Sequence, residues 1–340
     1  MESYSCIRER FMERERDSLS VYACPSSQSR GREREEVPCD IRTVFQQDRD
    51  RIIHCQSFRR LMNKTQVFLA PTGDHYRTRM THTLEVTQIA RIIARALRLN
   101  EDLTEAAALG HDLGHTPFGH AGEYALQKCY DSSFTHYKQS LRVVEQLEND
   151  GRGLNLTWEV RDGIVNHTGK SKASTLEGTI VKYADRIAYI NHDIDDACRG
   201  GILSARDIPK KLRDVLGQTH SERIDTMVQS MIRASTGKPW IAMEDEVQEA
   251  TDELRAFLFE NVYRNPIAKS EEQKAQEMLM RLFEHFSKHP EAMPEFYRRN
   301  CEEEPVERCV CDFLSGMTDR YAIEVYSGLY VPRVWRGPQI

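Results

Sequence analysis

The chain has 340 residues, with 47 Lys and Arg against 53 Asp and Glu, for a formal net charge of -6. That length is ample for a buried core in one large domain or two, and the acidic balance excludes a global field that would draw in nucleic acid or an anionic membrane. No apolar run approaches the roughly 20 residues of a membrane span. Met1–Asp17 is charged where a signal peptide would be apolar, and the nine scattered cysteines fit reduced thiols, so a cytoplasmic protein is expected. An anionic substrate would need cations supplied locally.

Residues 1–40 form a charged N-terminal arm in which Arg8, Arg10, Arg14, Arg16, Arg30, Arg32 and Arg34 alternate with acids around a Pro/Ser turn. This pattern predicts a flexible, solvated segment. From Asp48 to Phe68 the apolar residues Ile52, Ile53, Phe58, Leu61 and Met62 recur at helical spacing before P-T-G-D breaks the chain. Thr81–Leu99 is a strong helix with Val86, Ile89, Ile93 and Leu97 as its stripe, and His82 falls on that stripe. Asp102–Leu113 follows, with Thr104, Ala107, Ala108 and His111 on its inner face. After G-H-T-P-F-G a helix runs over 121–130, another over Leu141–Leu147, a short one over Glu159–Val165 leading to His167, and a long one over Thr175–Cys198 that stops at Gly200-Gly201. Asp207–Tyr326 alternates amphipathic helices with Pro/Gly breaks. No period-two segment is long enough for a sheet and no repeat is visible. The expected fold class is all-α, with a core over 41–200 and additional C-terminal helices over 201–340 packed on it.

The polar residues on these apolar stripes carry the chemistry. His111, Asp112, His115, His120 and Glu123 crowd into thirteen residues, with His82 one helix upstream. An unpaired carboxylate at a buried position costs several kcal/mol, so Asp112 and Asp185 each need a partner or a cation. Adjacent residues on a helix diverge by about 100°, yet His111 and Asp112 can both reach one ion beside their helix. Two imidazoles with two carboxylates suit magnesium or a divalent transition ion and lack the thiolates of structural zinc. A single histidine on an apolar stripe is ordinarily a hydrogen-bonded core residue, and an isolated His-Asp pair is common. Packing alone does not explain the joint pattern. The glycines and proline around His115 predict a turn that exposes its side chains. Arg79, one turn before His82, and Arg186, beside Asp185, are placed to bring cations toward the ion. Tyr189 and Asp193 lie one and two turns beyond Asp185 on its face. Arg59 and Lys64 read as solvated surface cations.

His82, His111-Asp112 and Asp185 form the H…HD…D pattern of the HD-domain metal phosphohydrolases. The longer strings R-R-L-M-N-K-T-Q-V-F, R-M-T-H-T-L-E-V, G-H-D-L-G-H-T-P-F-G-H-A-G-E, F-T-H-Y-K-Q-S-L-R, Y-A-D-R-I-A-Y-I-N-H-D-I-D-D and M-T-D-R-Y-A resemble the dGTP triphosphohydrolase-like (dNTPase) branch. The resemblance implies an HD-domain helical fold and hydrolysis of a deoxynucleoside triphosphate to deoxynucleoside and inorganic triphosphate. It implies a divalent metal (Mg, Mn, Fe or Ni) on His82, His111, Asp112 and Asp185, and a catalytic relay of His115, Glu123 and His136, with His120 a further proton donor. Arg79 and Arg186 would touch phosphates. Gln66 and Val67 match a sugar-contact strip. The Tyr189 ring would pack on the deoxyribose and exclude a 2′-hydroxyl, and Asp193 would accept from the 3′-hydroxyl. Homo-oligomers, dimers or hexamers, some with a nucleotide effector, are also implied. Two other readings stand beside this one: an HD nucleotidase or phosphodiesterase with two metals, using His136 and His167, and a nucleotide-binding protein with little turnover. Neither base preference nor any role for nucleic acid is legible.

Overall fold

The computed structural model describes residues 5–66, 77–264 and 266–332. Among them the regular structure is helical and there is no strand, only an isolated bridge between Thr65 and Thr78. Among the described residues no helix is long and apolar enough to cross a membrane.

The centre is built from three helices whose starts are set by local chemistry. α1 (Ser5–Ser18), α2 (Val44–His54) and α3 (Gln56–Arg60) lead to α4 (Arg79–Ala96), which starts where the Thr78 hydroxyl accepts from the Thr81 N–H. α5 (Glu101–Gly110) is capped by Asn100 and carries Glu101 and Asp102 in its first turn, against the positive end of the helix dipole. α6 (His120–Cys129), α7 (His136–Arg142) and α8 (Trp158–Val165) surround the end of α5. α9 (Leu176–Arg199), capped by Thr175, packs along α4. Val86, Ile89, Ile93, Ile180, Ala184, Ile187 and Ile194 are buried between them, as their helical spacing predicts.

The C-terminal part supplies α10 (Lys210–Leu216), α11 (His220–Ser235) and α12 (Asp245–Leu258), which extend the α4/α9 core. α13 (Pro266–Lys288), α14 (Glu295–Asn300), α15 (Val306–Ser315) and α16 (Asp319–Tyr330) close a second core over α6. A third cluster joins α2, α3, α5 and α8.

The structure departs from the sequence reading in three places. The helical stretch from Asp48 breaks at Cys55, whose backbone is extended (ψ 158°). Met62, past the break, is exposed, and so is Ile53, which adjoins the buried Ile52 on α2 and points about 100° away from it; Phe68 lies outside the described residues. The helix expected over 141–147 begins earlier, at His136, and finishes in a π-helical turn over Val143–Leu147. The charged arm lies on the core instead of in solvent. Arg32 is paired with buried Asp48, the Arg30 guanidinium stacks 3.9 Å over the Trp158 ring, and Glu15 accepts from Asn100 at 3.2 Å. Each of these arginines has a specific acid or aromatic partner that composition alone does not assign. The eight described cysteines that can be assessed are all free thiols.

Candidate active site

α4, α5 and α9 bring His82, His111, Asp112 and Asp185 together. His82 lies in the first turns of α4. His111 is the residue at which α5 ends, and Asp112 begins the turn that follows, so the pair sits just past the helix and not within it. The turn is clamped by α7. The Ser140 hydroxyl donates to the His111 carbonyl (2.8 Å) and accepts from the Gly114 N–H (2.9 Å). A Cβ on Gly114 would lie 2.1 Å from the Ser140 nitrogen, so only glycine permits this approach.

His82 Nε2 is 3.1 Å from Asp185 Oδ1. His111 Nε2 is 3.5 Å from Asp112 Oδ2 and 3.9 Å from Asp185 Oδ1. His111 Nδ1 lies 2.6 Å from the Ala108 carbonyl. That carbonyl can only accept, so the ring proton is on Nδ1 and the Nε2 lone pair is bare. Nε2 is buried and has no hydrogen-bond partner. An orphaned imidazole nitrogen facing two carboxylates and a second imidazole is what a divalent cation would complete, and the donor set suits one. The carboxylates stay charged for the same reason. Burial pushes Asp185 up, but the His82 contact and neighbouring imidazoles outweigh it and bring it to about 2. Burial likewise opposes ionisation of Asp112, and the neighbouring His111 ring and the Arg79 guanidinium hold it well below the usual range.

Arg79 reaches this cluster. Its Nη1 is 2.5 Å from Asp112 Oδ2, while Nη2 donates to the carbonyls of Thr65 and Gln66 at 3.3 and 3.4 Å. Arg186 does not reach it, because its Nη1 pairs with Asp252 of α12 at 3.3 Å. The adjacent helix position turns it away from Asp185. Gln66 is half-buried beside Arg79 with its amide oxygen unpartnered. Val67 lies outside the described residues.

A second group adjoins the first. Glu123 Oε2 is 2.9 Å from His136 Nδ1 and 3.7 Å from His120 Nδ1, and the His115 and His136 rings stack with centroids 4.5 Å apart. His136 Nε2 faces His167 Nε2 at 3.4 Å. His167 Nδ1 donates to the Ile164 carbonyl (2.7 Å), so its Nε2 can only accept. His136 therefore has an acceptor at each nitrogen. Burial pushes its pKa down, but the Glu123 hydrogen bond and charge prevail, so it is raised. Burial and Arg79 hold His115 well below its ordinary value. Burial pushes Glu123 up, yet the imidazoles of His120 and His136 keep it far below the carboxylate range. The turn carrying His115 does not expose it: His115 is 2% accessible, whereas the His120 side chain is 85% accessible. Lys64 is the reason. It is no surface cation but is buried, with Nζ donating to the carbonyls of His115 and Ser315. Asp319, in M-T-D-R-Y-A, ties the same turn to the strip before it, accepting from the N–H groups of Phe118 and Thr65 at 2.9 Å each. Arg59 is exposed as expected.

Farther along α9, Tyr189 is half-buried and its hydroxyl is pushed up to about 12 by burial. Asp193 is buried. One carboxyl oxygen accepts from the Tyr263 hydroxyl and the other has no partner. Burial raises Asp193 to about 7 despite that bond. Tyr263, on a π-helical turn over Phe259–Tyr263, had no signal in the sequence because its partner is 70 residues away. His192 and Glu85 were also passed over. His192 lies seven residues after Asp185 and Glu85 three after His82, helical spacings that put each on the site side of its helix. His192 Nδ1 approaches His82 Nδ1 at 3.5 Å and its Nε2 approaches Glu85 at 2.8 Å.

Comparison with known proteins agrees with this architecture. Residues 79–190 match the HD domain and 241–328 the phosphohydrolase-associated domain. A deoxyguanosinetriphosphate triphosphohydrolase-like protein of Caldanaerobacter subterraneus subsp. tengcongensis is 59% identical over 97% of each chain. Proteins of the same name from Desulfatibacillum aliphaticivorans and Clostridium perfringens are 49% and 48% identical over 96% of this chain and 98% of theirs. The crystal structure of a phosphohydrolase from Bacteroides thetaiotaomicron shares the fold, with a TM-score of 0.53 at 17% identity over 82% of this chain and 67% of that one. The chain thus belongs to the deoxyguanosinetriphosphate triphosphohydrolase-like family of HD-domain phosphohydrolases.

Proposed function

We propose that this protein hydrolyses deoxynucleoside triphosphates to deoxynucleoside and inorganic triphosphate. The observation that carries the reading is the bare, buried His111 Nε2 facing His82, Asp112 and Asp185, beside a histidine whose two nitrogens both meet acceptors. His82, His111, Asp112 and Asp185 would hold a divalent cation, which when bound supplies polarisation of a phosphate oxygen and acidification of water. Arg79, already against Asp112, would meet substrate phosphate. The 5′ alkoxide is a poor leaving group and needs a proton. His136, protonated between Glu123 and His167, stores one, and His115, stacked on it, is placed to pass it on; His120 stands at the exposed rim. The free oxygen of Asp193 would take a sugar hydroxyl with Tyr189 against the ring, while Arg186 would have to leave Asp252 to reach a phosphate.

Incubating the protein with each dNTP, with and without Mn²⁺ or Mg²⁺, and resolving products by anion exchange tests this. Metal-dependent triphosphate plus deoxynucleoside, lost in Asp112→Ala, is the expected result. No release from any dNTP, alone or in mixtures that could supply an effector, overturns it. The close Asp112, His115 and His136 group favours one second reading, a two-metal nucleotidase or phosphodiesterase. That reading predicts orthophosphate from a monophosphate, or opening of a cyclic diester, in the same assay. A cytoplasmic homo-oligomer, dimer or hexamer, belongs to the proposal, and light scattering with and without dNTP tests the assembly.

A further inference from the structure

The described cluster does not end at its ligand atoms. His82 and His192 are each 1% accessible, and between them their four ring nitrogens make three close contacts: His82 Nε2 with Asp185 at 3.1 Å, His82 Nδ1 with His192 Nδ1 at 3.5 Å, and His192 Nε2 with Glu85 at 2.8 Å. Glu85 is a charged acceptor, because the Arg77 guanidinium pairs with it at 3.2 Å and continues to Asp196 at 3.2 Å and Asp195 at 3.4 Å. A carboxylate oxygen at 2.8 Å requires a proton on His192 Nε2. In a neutral ring that leaves Nδ1 bare, able only to accept. The facing His82 Nδ1 must then donate, and its Nε2 lone pair is free toward Asp185 and His111. The opposite assignment sets a bare His192 Nε2 against the Glu85 carboxylate, acceptor against acceptor. A doubly protonated His192 would place a second cation in the interior next to Arg77. Bare His82 Nε2 would itself meet the Asp185 carboxylate at 3.1 Å as acceptor against acceptor, so this arrangement satisfies every contact with neutral rings once a cation lies between those two groups.

We propose that His192 and Glu85 are positioning residues for His82: the chain Glu85–His192–His82 fixes the tautomer and orientation that present His82 Nε2 to the cation. The inference rests on the proposed role of His82 as a ligand. It extends the familiar outer-shell device, in which a ligating imidazole donates its other N–H to an acceptor, by a second imidazole interposed between ligand and carboxylate. Arg77, from the segment just before α4, anchors the chain to the acidic end of α9. The bare His111 Nε2 is set differently, by a backbone carbonyl of its own helix.

The test is Mn²⁺ binding by calorimetry on chelator-stripped full-length protein, with the melting temperature of each metal-free variant measured in parallel. His192→Gln places an amide near the Nε2 position, within reach of Glu85 but not of His82. His192→Asn places its amide near Nδ1, within reach of His82 but not of Glu85. We expect His192→Gln to weaken Mn²⁺ binding by about 10–100-fold and His192→Asn to recover most of that loss, at similar melting temperatures. Affinity for Mn²⁺ within twofold of the unaltered protein in His192→Gln overturns the inference. Should the variants not fold, ¹⁵N spectra of the histidines in the unaltered protein loaded with diamagnetic Mg²⁺ decide: a proton on His82 Nδ1 with Nε2 bare supports the chain, and a bare Nδ1 refutes it. If the unaltered protein binds no divalent ion at all, the ligand reading itself fails. That outcome differs from an unaffected His192→Gln because it already appears without a substitution.

Discussion

The two halves of the candidate site differ in where their protons are. On the α4/α5/α9 side, the His111 proton is engaged away from the centre by the Ala108 carbonyl, and on the proposed chain the His82 proton would be engaged by His192, so that lone pairs would converge with two carboxylates on a cation. On the α6/α7 side, His136 is held between Glu123 and His167 with acceptors at both nitrogens, so protons are stored there. On the proposed reading the first arrangement would receive a cation and the second would give up a proton. Imidazole serves both because the partner of each nitrogen decides which one is bare. The halves are joined at His111–His115, a single buried turn that Ser140, Lys64 and Asp319 grip from three sides.

The comparison can be broken most directly by removing the stored proton. His136→Ala is expected to lower kcat by roughly 10²–10⁴-fold while Mn²⁺ affinity, read by calorimetry, stays close to that of the unaltered protein. A parallel loss of metal binding would mean that the halves are one unit. A pH profile sharpens the same point. Burial lowers the His136 pKa but Glu123 raises it more, so the net value lies above 6.5. The active form is protonated, so kcat/KM should fall as pH rises through that raised value. Glu123→Gln removes the raising interaction and should move the fall to lower pH. An unmoved limb would assign the titration to another group.

Smaller effects are expected at the sugar side. Tyr263→Phe leaves a buried carboxyl without its donor and should cost about 1–3 kcal/mol of dNTP binding, read as a raised KM. Asp193 itself carries a sign that can be checked. Its folded value is about 7 against 3.8 ordinarily, so the neutral form is favoured by the fold. The resulting stability is fully present below pH 3.8 and is lost as pH rises to about 7. Melting temperature of the metal-free protein should decline across that window, and Asp193→Asn should flatten the decline. The least effect is expected at the rim. His120, 85% accessible and 3.7 Å from Glu123, should change kcat by no more than about tenfold on replacement by Ala; a larger loss would make it the direct donor to the leaving oxygen.

Periodicity was sufficient to place most of the helices of the core. Apolar stripes such as Val86–Ile89–Ile93 bury themselves wherever the neighbours lie, so spacing alone identifies them. The charged residues were harder. Lys64 and Arg32 read as surface cations, yet Lys64 is buried and Arg32 is half-buried, because the Ser315 carbonyl and Asp48 that receive them come from other parts of the chain. Arg186 sits next to Asp185 in sequence and points to Asp252. His115 stands in a glycine-rich turn and is covered.

The sequence by itself determined the all-helical class, the family, and the spacing that puts His82 and Asp185 on inward faces, since these follow from local periodicity and from contiguous strings of residues; His111-Asp112, expected on the inner face of its helix, lies in the turn just past α5. Only the tertiary structure decided which nitrogen of each histidine is bare, and that His192, Glu85 and Tyr263 stand behind the site residues. A proton's position depends on the acceptor across the gap, here a residue 110 positions away for His82 and 70 away for Asp193, and such partners are set by how helices pack, which no local pattern encodes.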